Sequence, residues 1–162
     1  AVLMPNGGSR TLTPPAADSF ALSRGKGLWV KRVAGGAASV ILKGQVTEAK
    51  QATEVSEGFN LLGYGAVAAF DLNDLDWSGA YGVNGISAAS SDRILVDSGN
   101  GSFKTYYYYY KEGVSGYYAQ FQNKWVESTG TGPQLASPIA AGQGFWYQRR
   151  GTGSFTFRPD GQ

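Results

Sequence analysis

The 162-residue sequence predicts an all-β fold, a single domain of the β-sandwich or jelly-roll-like kind. Three observations carry that expectation. Short runs of apolar, β-branched or aromatic residues recur along the whole chain, separated by turn residues. Glycine is abundant, at 24 residues, beside 14% aromatics, a pairing that suits strands and tight turns better than helices. The third observation is an internal repeat. Gly25-Lys26-Gly27-Leu28-Trp29-Val30-Lys31-Arg32 is answered by Gly142-Gln143-Gly144-Phe145-Trp146-Tyr147-Gln148-Arg149. Each copy runs through a Gly-rich turn, Gly35-Gly36 or Gly151-Thr152-Gly153, into a second apolar run. Read as hairpins, the two copies span about 17–45 and 135–162.

Along the chain, Ala1 to Met4 is a short apolar start before the turn Asn6-Gly7-Gly8. Thr11 to Thr13 resumes an extended course until Pro14-Pro15 breaks it. Residues 1–13 thus read as an N-terminal strand or arm, and 14–162 as the β domain. Val2, Leu3 and Met4 have two readings: a strand within the molecule's own sheet, or an inter-subunit strand donated to a neighbouring copy. After the first repeat unit, Thr47 to Ser56 is polar, an exposed strand or loop, and Gly58 to Gly65 reads as a buried strand between glycines. Asp71 precedes Leu72 and Leu75 at helical spacing, so one short helix with Asp71 as N-cap is expected near 71–77. Ser78 to Ser91, rich in Gly, Ala, Ser and Asn, reads as a long surface loop. Asp92 to Asp97, the turn Ser98 to Gly101, and Ser102 to Tyr110 make the clearest hairpin. Tyr117 to Phe121 and Asn123 to Val126 read as further short strands, Thr129 to Pro133 as a loop, and the second repeat closes the chain.

Composition excludes several classes of function. A net charge of +2, with 16% charged residues and no run of like charge, argues against an electrostatic nucleic-acid binder. With no Cys there are no disulfides or thiolate nucleophiles, and with no His the commonest general base and transition-metal ligand is missing. No apolar run is long enough to span a bilayer. The start at Ala1, without Met, leads us to expect a processed mature form. Asp92, Asp97, Glu112 and Glu127 are scattered between strands with nothing to pair them for acid–base work. The Gly-x-Gly pairs do not extend into a phosphate fingerprint. No enzyme and no cofactor is expected.

Three groups of residues remain as candidates. Asp71, Asn73, Asp74 and Asp76 form the densest set of oxygen ligands, and Asp71, Asn73 and Asp76 are the weak candidates for a cation. Leu75 breaks the alternation a calcium loop needs, so a capped turn with solvated acids is the expected outcome. The five tyrosines alternate in a strand: Tyr106, Tyr108 and Tyr110 point one way, Tyr107 and Tyr109 the other. One face is expected in the core. The other is expected to leave a ladder of rings near the surface, joined by Tyr117, Tyr118 or Trp125, as a platform for a protein interface or for sugar rings. The plain alternative is cross-strand pairing that only stabilises a sheet. Finally, Asn100-Gly101-Ser102 matches the N-glycosylation acceptor pattern in a predicted turn.

Gly58-Phe59-Asn60-Leu61-Leu62-Gly63, Leu72-Asn73-Asp74-Leu75-Asp76-Trp77, Asp92-Arg93-Ile94-Leu95-Val96, Thr105-Tyr106-Tyr107-Tyr108 and Ala141-Gly142-Gln143-Gly144-Phe145-Trp146 form an ordered series. Over roughly residues 17–159 the chain resembles β-rich repeat domains of uncharacterised secreted and cell-surface bacterial proteins. Relatives of that kind often carry Asn-Pro after the first motif, where this chain has Tyr64-Gly65. The motifs are structural glycines and aromatics, so the resemblance implies a fold and an extracellular setting, and no catalytic residue carries over. The expectation is a noncatalytic, secreted or cell-surface structural subunit that self-associates, head to tail into a filament through its N-terminal strand. The alternative is a carbohydrate-binding or adhesion module using Tyr and Trp platforms.

Overall fold

The fold is built on a six-stranded antiparallel sheet whose strands lie in the order Gly58–Leu62, Phe145–Arg149, Arg93–Asp97, Phe103–Tyr109, Lys124–Thr129 and Gly132–Leu135, which places the clearest predicted hairpin at its centre. In this computed structural model the described residues are 2–3, 9–10, 25, 27, 52–64, 68–75 and 84–158. Met4, Asp76, Trp77 and nearly all of the first repeat copy lie outside them. In chain order the strands are β1 (Val2–Leu3), β2 (Ser9–Arg10), β3 (Thr53–Val55), β4 (Gly58–Leu62), β5 (Arg93–Asp97), β6 (Phe103–Tyr109), β7 (Lys124–Thr129), β8 (Gly132–Leu135), β9 (Phe145–Arg149) and β10 (Phe155–Phe157). β1 pairs with β2, and β3 with β10, in two separate two-stranded ladders. The chain is all-β, as its composition predicts.

Each long strand carries two side-chain faces, and the sheet buries one of them deeply. Leu62, Phe145, Tyr147, Ile94, Val96, Tyr106, Tyr108 and Trp125 line the inner face. The β3–β10 ribbon covers it with Val55 and Phe157, while Phe70, Leu72, Leu75 and Ile139 close the remaining side. Edge-to-face contacts knit this sandwich-like layer: Phe145 meets Phe157 at 6.2 Å, Tyr147 meets Phe155 at 5.5 Å and Trp125 meets Tyr147 at 6.1 Å.

The second repeat copy is a corner and not a hairpin. β9 pairs with β4 and β5, whereas β10 pairs with β3, so its two runs lie in different sheets. β3 leads into β4 in the same way, so the two segments stay paired while both fold over the inner face, as strands do when they switch sheets. Side chains fix both bends. Asn60 accepts from the Ser56 N–H at 3.0 Å and donates to the Ser56 carbonyl at 2.7 Å. Arg149 donates to the carbonyls of Gly153 and Thr152 at 2.9 and 3.0 Å. Gly153 takes a φ of +75°, which glycine adopts without steric cost.

Several elements differ from their sequence reading. The segment Thr47 to Ser56, read as exposed, contains β3, whose Thr53 and Val55 are buried because the ribbon lies over the inner face. Tyr117 to Phe121, read as strand, belongs to a 3-10 helix, Gly116–Phe121, whose Phe121 is buried. A strand here would need alternate positions to be buried, whereas Tyr117 and Tyr118 are both exposed and only Phe121 turns inward. The loop Thr129 to Pro133 is in fact the turn into β8, an edge strand. Pro133 cannot donate to a ladder, so its pair with Ser128 is a non-hydrogen-bonded one, an arrangement an edge tolerates. The short helix expected near 71–77 is a single 3-10 turn, Leu72–Asp74, with Asp71 as its cap: the Asp71 side chain accepts from the Asn73 N–H at 2.8 Å.

Candidate functional site

The tyrosine run of β6 does not form a surface ladder. Tyr106, Tyr107, Tyr108 and Tyr109 are all buried, as is Trp125, and of the five tyrosines only Tyr110 is exposed. Tyr106 and Tyr108 enter the main core, as one face was expected to. On the other face Tyr107 and Tyr109 pack with Val126 and with Phe121 of the 3-10 helix, flanked by Ala88 and Val114. Two features lay that cover down. Gly85 exchanges backbone hydrogen bonds with Tyr108 of β6 and with Tyr110 just beyond it, alongside the start of β5, so the segment read as a surface loop extends the sheet. The Tyr107 hydroxyl donates to the Ile86 carbonyl at 3.2 Å. Burial raises the hydroxyl pKa of both Tyr106 and Tyr107; at Tyr106 the Ser137 hydrogen bond opposes the rise and the charges of Glu127 and Asp71 add to it, and at Tyr107 the neighbours Tyr109 and Tyr118 add to it.

The exposed aromatic surface lies elsewhere. Tyr117 and Tyr118, 66% and 47% exposed, stand on the 3-10 helix with their rings 5.5 Å apart and both against Phe121. A larger surface covers the outer face over β4, β9, β5 and the Phe103 to Thr105 end of β6. Because Ile94 and Val96 point into the core, Arg93, Leu95 and Asp97 point outward. The registers align them with neighbours: Leu61, Trp146, Leu95 and Thr105 form one row across four strands, and Phe59, Gln148, Arg93 and Tyr107 the next. Phe103 pairs with Asp97 in the row on the other side. Phe59 and Phe103 are 45% and 42% exposed, while Leu61, Leu95 and Trp146 are half-buried. The Phe59 and Trp146 rings meet edge to face at 6.3 Å. The signal for this face was present in the sequence as apolar residues at both parities of the same strands, Phe59-x-Leu61 against Leu62 and Leu95 against Ile94.

The remaining polar groups are tied into structural roles. Asn73 faces β7 directly, accepting from the Trp125 N–H at 2.8 Å and donating to the Trp125 carbonyl at 3.1 Å. With Asp71 capping the turn and Asn73 engaged with β7, these two candidate cation ligands hold backbone. Among the described residues there is no cluster of three or more His, Cys, Asp or Glu suited to a metal ion. Asp92 is buried and accepts from the Tyr147 hydroxyl at 3.0 Å and the Arg150 N–H at 2.7 Å, with Arg149 at 3.9 Å. Ser137 brings together Lys104, Tyr106 and Glu127. Its hydroxyl takes a hydrogen bond from Lys104 at 3.0 Å, lies 2.9 Å from the Tyr106 hydroxyl and donates to Glu127 at 3.1 Å. The serine proton is thus directed to a carboxylate already paired with a cation, a tie between β6, β7 and the segment after β8. Asn100 is exposed in the β5–β6 turn, where its side-chain oxygen accepts from both the Ser102 N–H and hydroxyl. Val2 and Leu3 pair with Arg10 and Ser9 of the same chain.

No protein-family model matches this chain, and neither curated proteins nor solved structures yield a match. The functional reading therefore rests on the surfaces described above. Among the described residues no helix is long and apolar enough to cross a membrane.

Proposed function

We propose that this protein is a noncatalytic, secreted or cell-surface structural subunit that self-associates into a fibre or filament. The observation that supports it most is the outer face of the six-stranded sheet, where Phe59, Leu61, Leu95, Phe103 and Trp146 leave a contiguous apolar surface in contact with water. Monomeric proteins rarely keep such a surface unless something docks on it. The absence of Cys and His from the chain, together with polar clusters committed to tying strands and turns together, fits a scaffold better than an enzyme. In this reading the contact along a filament falls to the N-terminal arm, residues 1–13. Its β1 strand pairs with β2, and among the described residues it has no other strand partner, so its second edge suits strand addition to a neighbour.

Negative-stain electron microscopy across a concentration series tests the reading. Fibres with a repeat near one domain length are expected, and they should be lost on deleting Ala1 to Arg10 from a chain that stays folded. Assembly that survives this deletion would remove the N-terminal strand from the proposal.

A second reading, an adhesion module that stacks on sugar rings, is favoured by the Tyr117–Tyr118 pair, whose rings are the most exposed aromatics described. Retention on a polysaccharide panel that disappears in a Tyr117→Ala/Tyr118→Ala variant would support it, and no retention on any glycan would exclude it.

A further inference from the structure

The outer face of β5 carries a charge pattern that complements itself. Arg93 and Asp97 project from one strand to the same side with Leu95 between them. Their α-carbons are four residues apart, about 13 Å in an extended strand, too far for the two side chains to neutralise each other well. Neither forms a salt bridge with another described residue. Arg93 donates to Gln148 at 2.5 Å and has a second cation, Arg150, nearby; desolvation and that neighbour lower its pKa. One Asp97 oxygen takes the Gly99 N–H at 2.8 Å. The face thus presents an apolar central row, Leu61, Trp146, Leu95 and Thr105, with a cation on one side of it and an anion on the other.

We propose that a second copy of this chain packs on this face, outer sheet against outer sheet with β5 antiparallel to β5, so that Arg93 of each copy meets Asp97 of the other. A two-fold axis lying between the sheets and crossing the strands at Leu95 does this twice at once, superposing the two central rows and exchanging the charged ends. The geometry has room for natural sheet twist. Each charged residue lies about 6–7 Å from the axis, so the usual ~30° angle between packed sheets moves it by about 3 Å, within the reach of an arginine. The apolar rows supply the association and the charges set the register, since a parallel arrangement would place like charges together. An unrelated partner would have to carry the inverse pattern by coincidence, whereas a second copy carries it by symmetry. This inference rests on the self-association proposed above. It adds a lateral, closed contact to the open contact assigned to the N-terminal arm.

Sedimentation velocity on the whole chain tests it, with circular dichroism confirming that each variant is folded. Arg93→Glu makes the face all acidic at these two positions, and Asp97→Lys makes it all basic. Each alone should weaken the dimer by roughly tenfold or more, and an equimolar mixture of the two should recover wild-type association. In the mixed dimer the glutamate introduced at position 93 of one copy meets the lysine introduced at position 97 of the other. The unaltered Asp97 and Arg93 pair as they do in the wild type. The milder variants Arg93→Gln and Asp97→Asn should each weaken association, and their mixture should recover it only in part, because the mixed dimer holds one Arg93–Asp97 pair where the wild type holds two. Single variants that associate like the wild type, or charge variants that stay apart when mixed, would overturn the pairing while leaving self-association standing. A wild-type chain that remains monomeric at every concentration would overturn both.

Discussion

Phe121→Ala is the most informative single change in this molecule, because it separates a covered tyrosine strand from an exposed one. Phe121 is 2% exposed and touches the rings of Tyr109, Tyr117 and Tyr118 at centroid distances of 6.3, 5.4 and 6.4 Å. Truncating a phenylalanine buried to this degree costs about 3–5 kcal/mol, from lost transfer free energy and the cavity left behind. The cost belongs at the upper end if the 3-10 helix lifts off and wets Tyr107 and Tyr109, and at the lower end if it collapses into the gap. For a chain of this size each kcal/mol moves the melting temperature by about 2–4 °C, so a fall of roughly 6–20 °C is expected. Urea unfolding followed by tryptophan fluorescence gives the same quantity as a shift in midpoint at constant slope. Tyr117→Ala is the matched control, a ring on the same helix that is mostly in water, expected to cost less than about 1 kcal/mol. If Phe121→Ala costs no more than the control, the helix does not cover β6 and the second small core is wrong.

Tyr147→Phe should cost about 1.5–3 kcal/mol in urea unfolding, because it leaves the buried Asp92 carboxylate one hydrogen bond short. Asn73→Ala should cost about 1–3 kcal/mol by the same measurement, since it strips both partners from the Trp125 peptide groups. Stability should also fall at alkaline pH. Tyr106 and Tyr107 have folded pKa values raised above the ordinary 10.0, so their contribution is fully present below about pH 10 and is lost as pH rises through the folded values. Tyr106→Phe and Tyr107→Phe should each extend the alkaline limit of the folded state, read by circular dichroism as a pH titration; variants that unfold at the wild-type pH would contradict this.

Much of the fold was legible because local rules and tertiary packing agree. The β5–β6 hairpin follows from alternation around a Gly-rich turn, and the structure closes it with Ser98 and Ser102 bonded at 3.0 Å. Asp71 reads as a cap and is one. The failures have physical causes. A Gly-rich link between apolar runs looks the same whether its strands pair with each other or turn a corner, and only the partner strands β3 and β4 decide that β9 and β10 are a corner. β8 was missed because Gly132 and Pro133 have poor strand propensity, which an edge position forgives. The tyrosine platform was misplaced because period-two alternation tells which side chains share a face and not whether that face is covered. The cover over Tyr107 and Tyr109 comes from residues 84–91 and 116–121, whose own sequences read as loop and strand. The surface that was left open, around Phe59, Leu95 and Trp146, had the same alternation and no covering element among the described residues.

Self-association through the outer face is read by sedimentation velocity on the wild type beside a Phe59→Lys/Phe103→Lys variant over a wide concentration range. Both phenylalanines are nearly half exposed and neither belongs to a buried core, so the variant should stay folded. The wild type should sediment as larger species with rising concentration, and the variant, deprived of the sheet-to-sheet contact, should form smaller species, held only by the N-terminal arm. A wild type that sediments as one monomeric species throughout, or a variant that assembles as far as the wild type, would contradict self-association through this face.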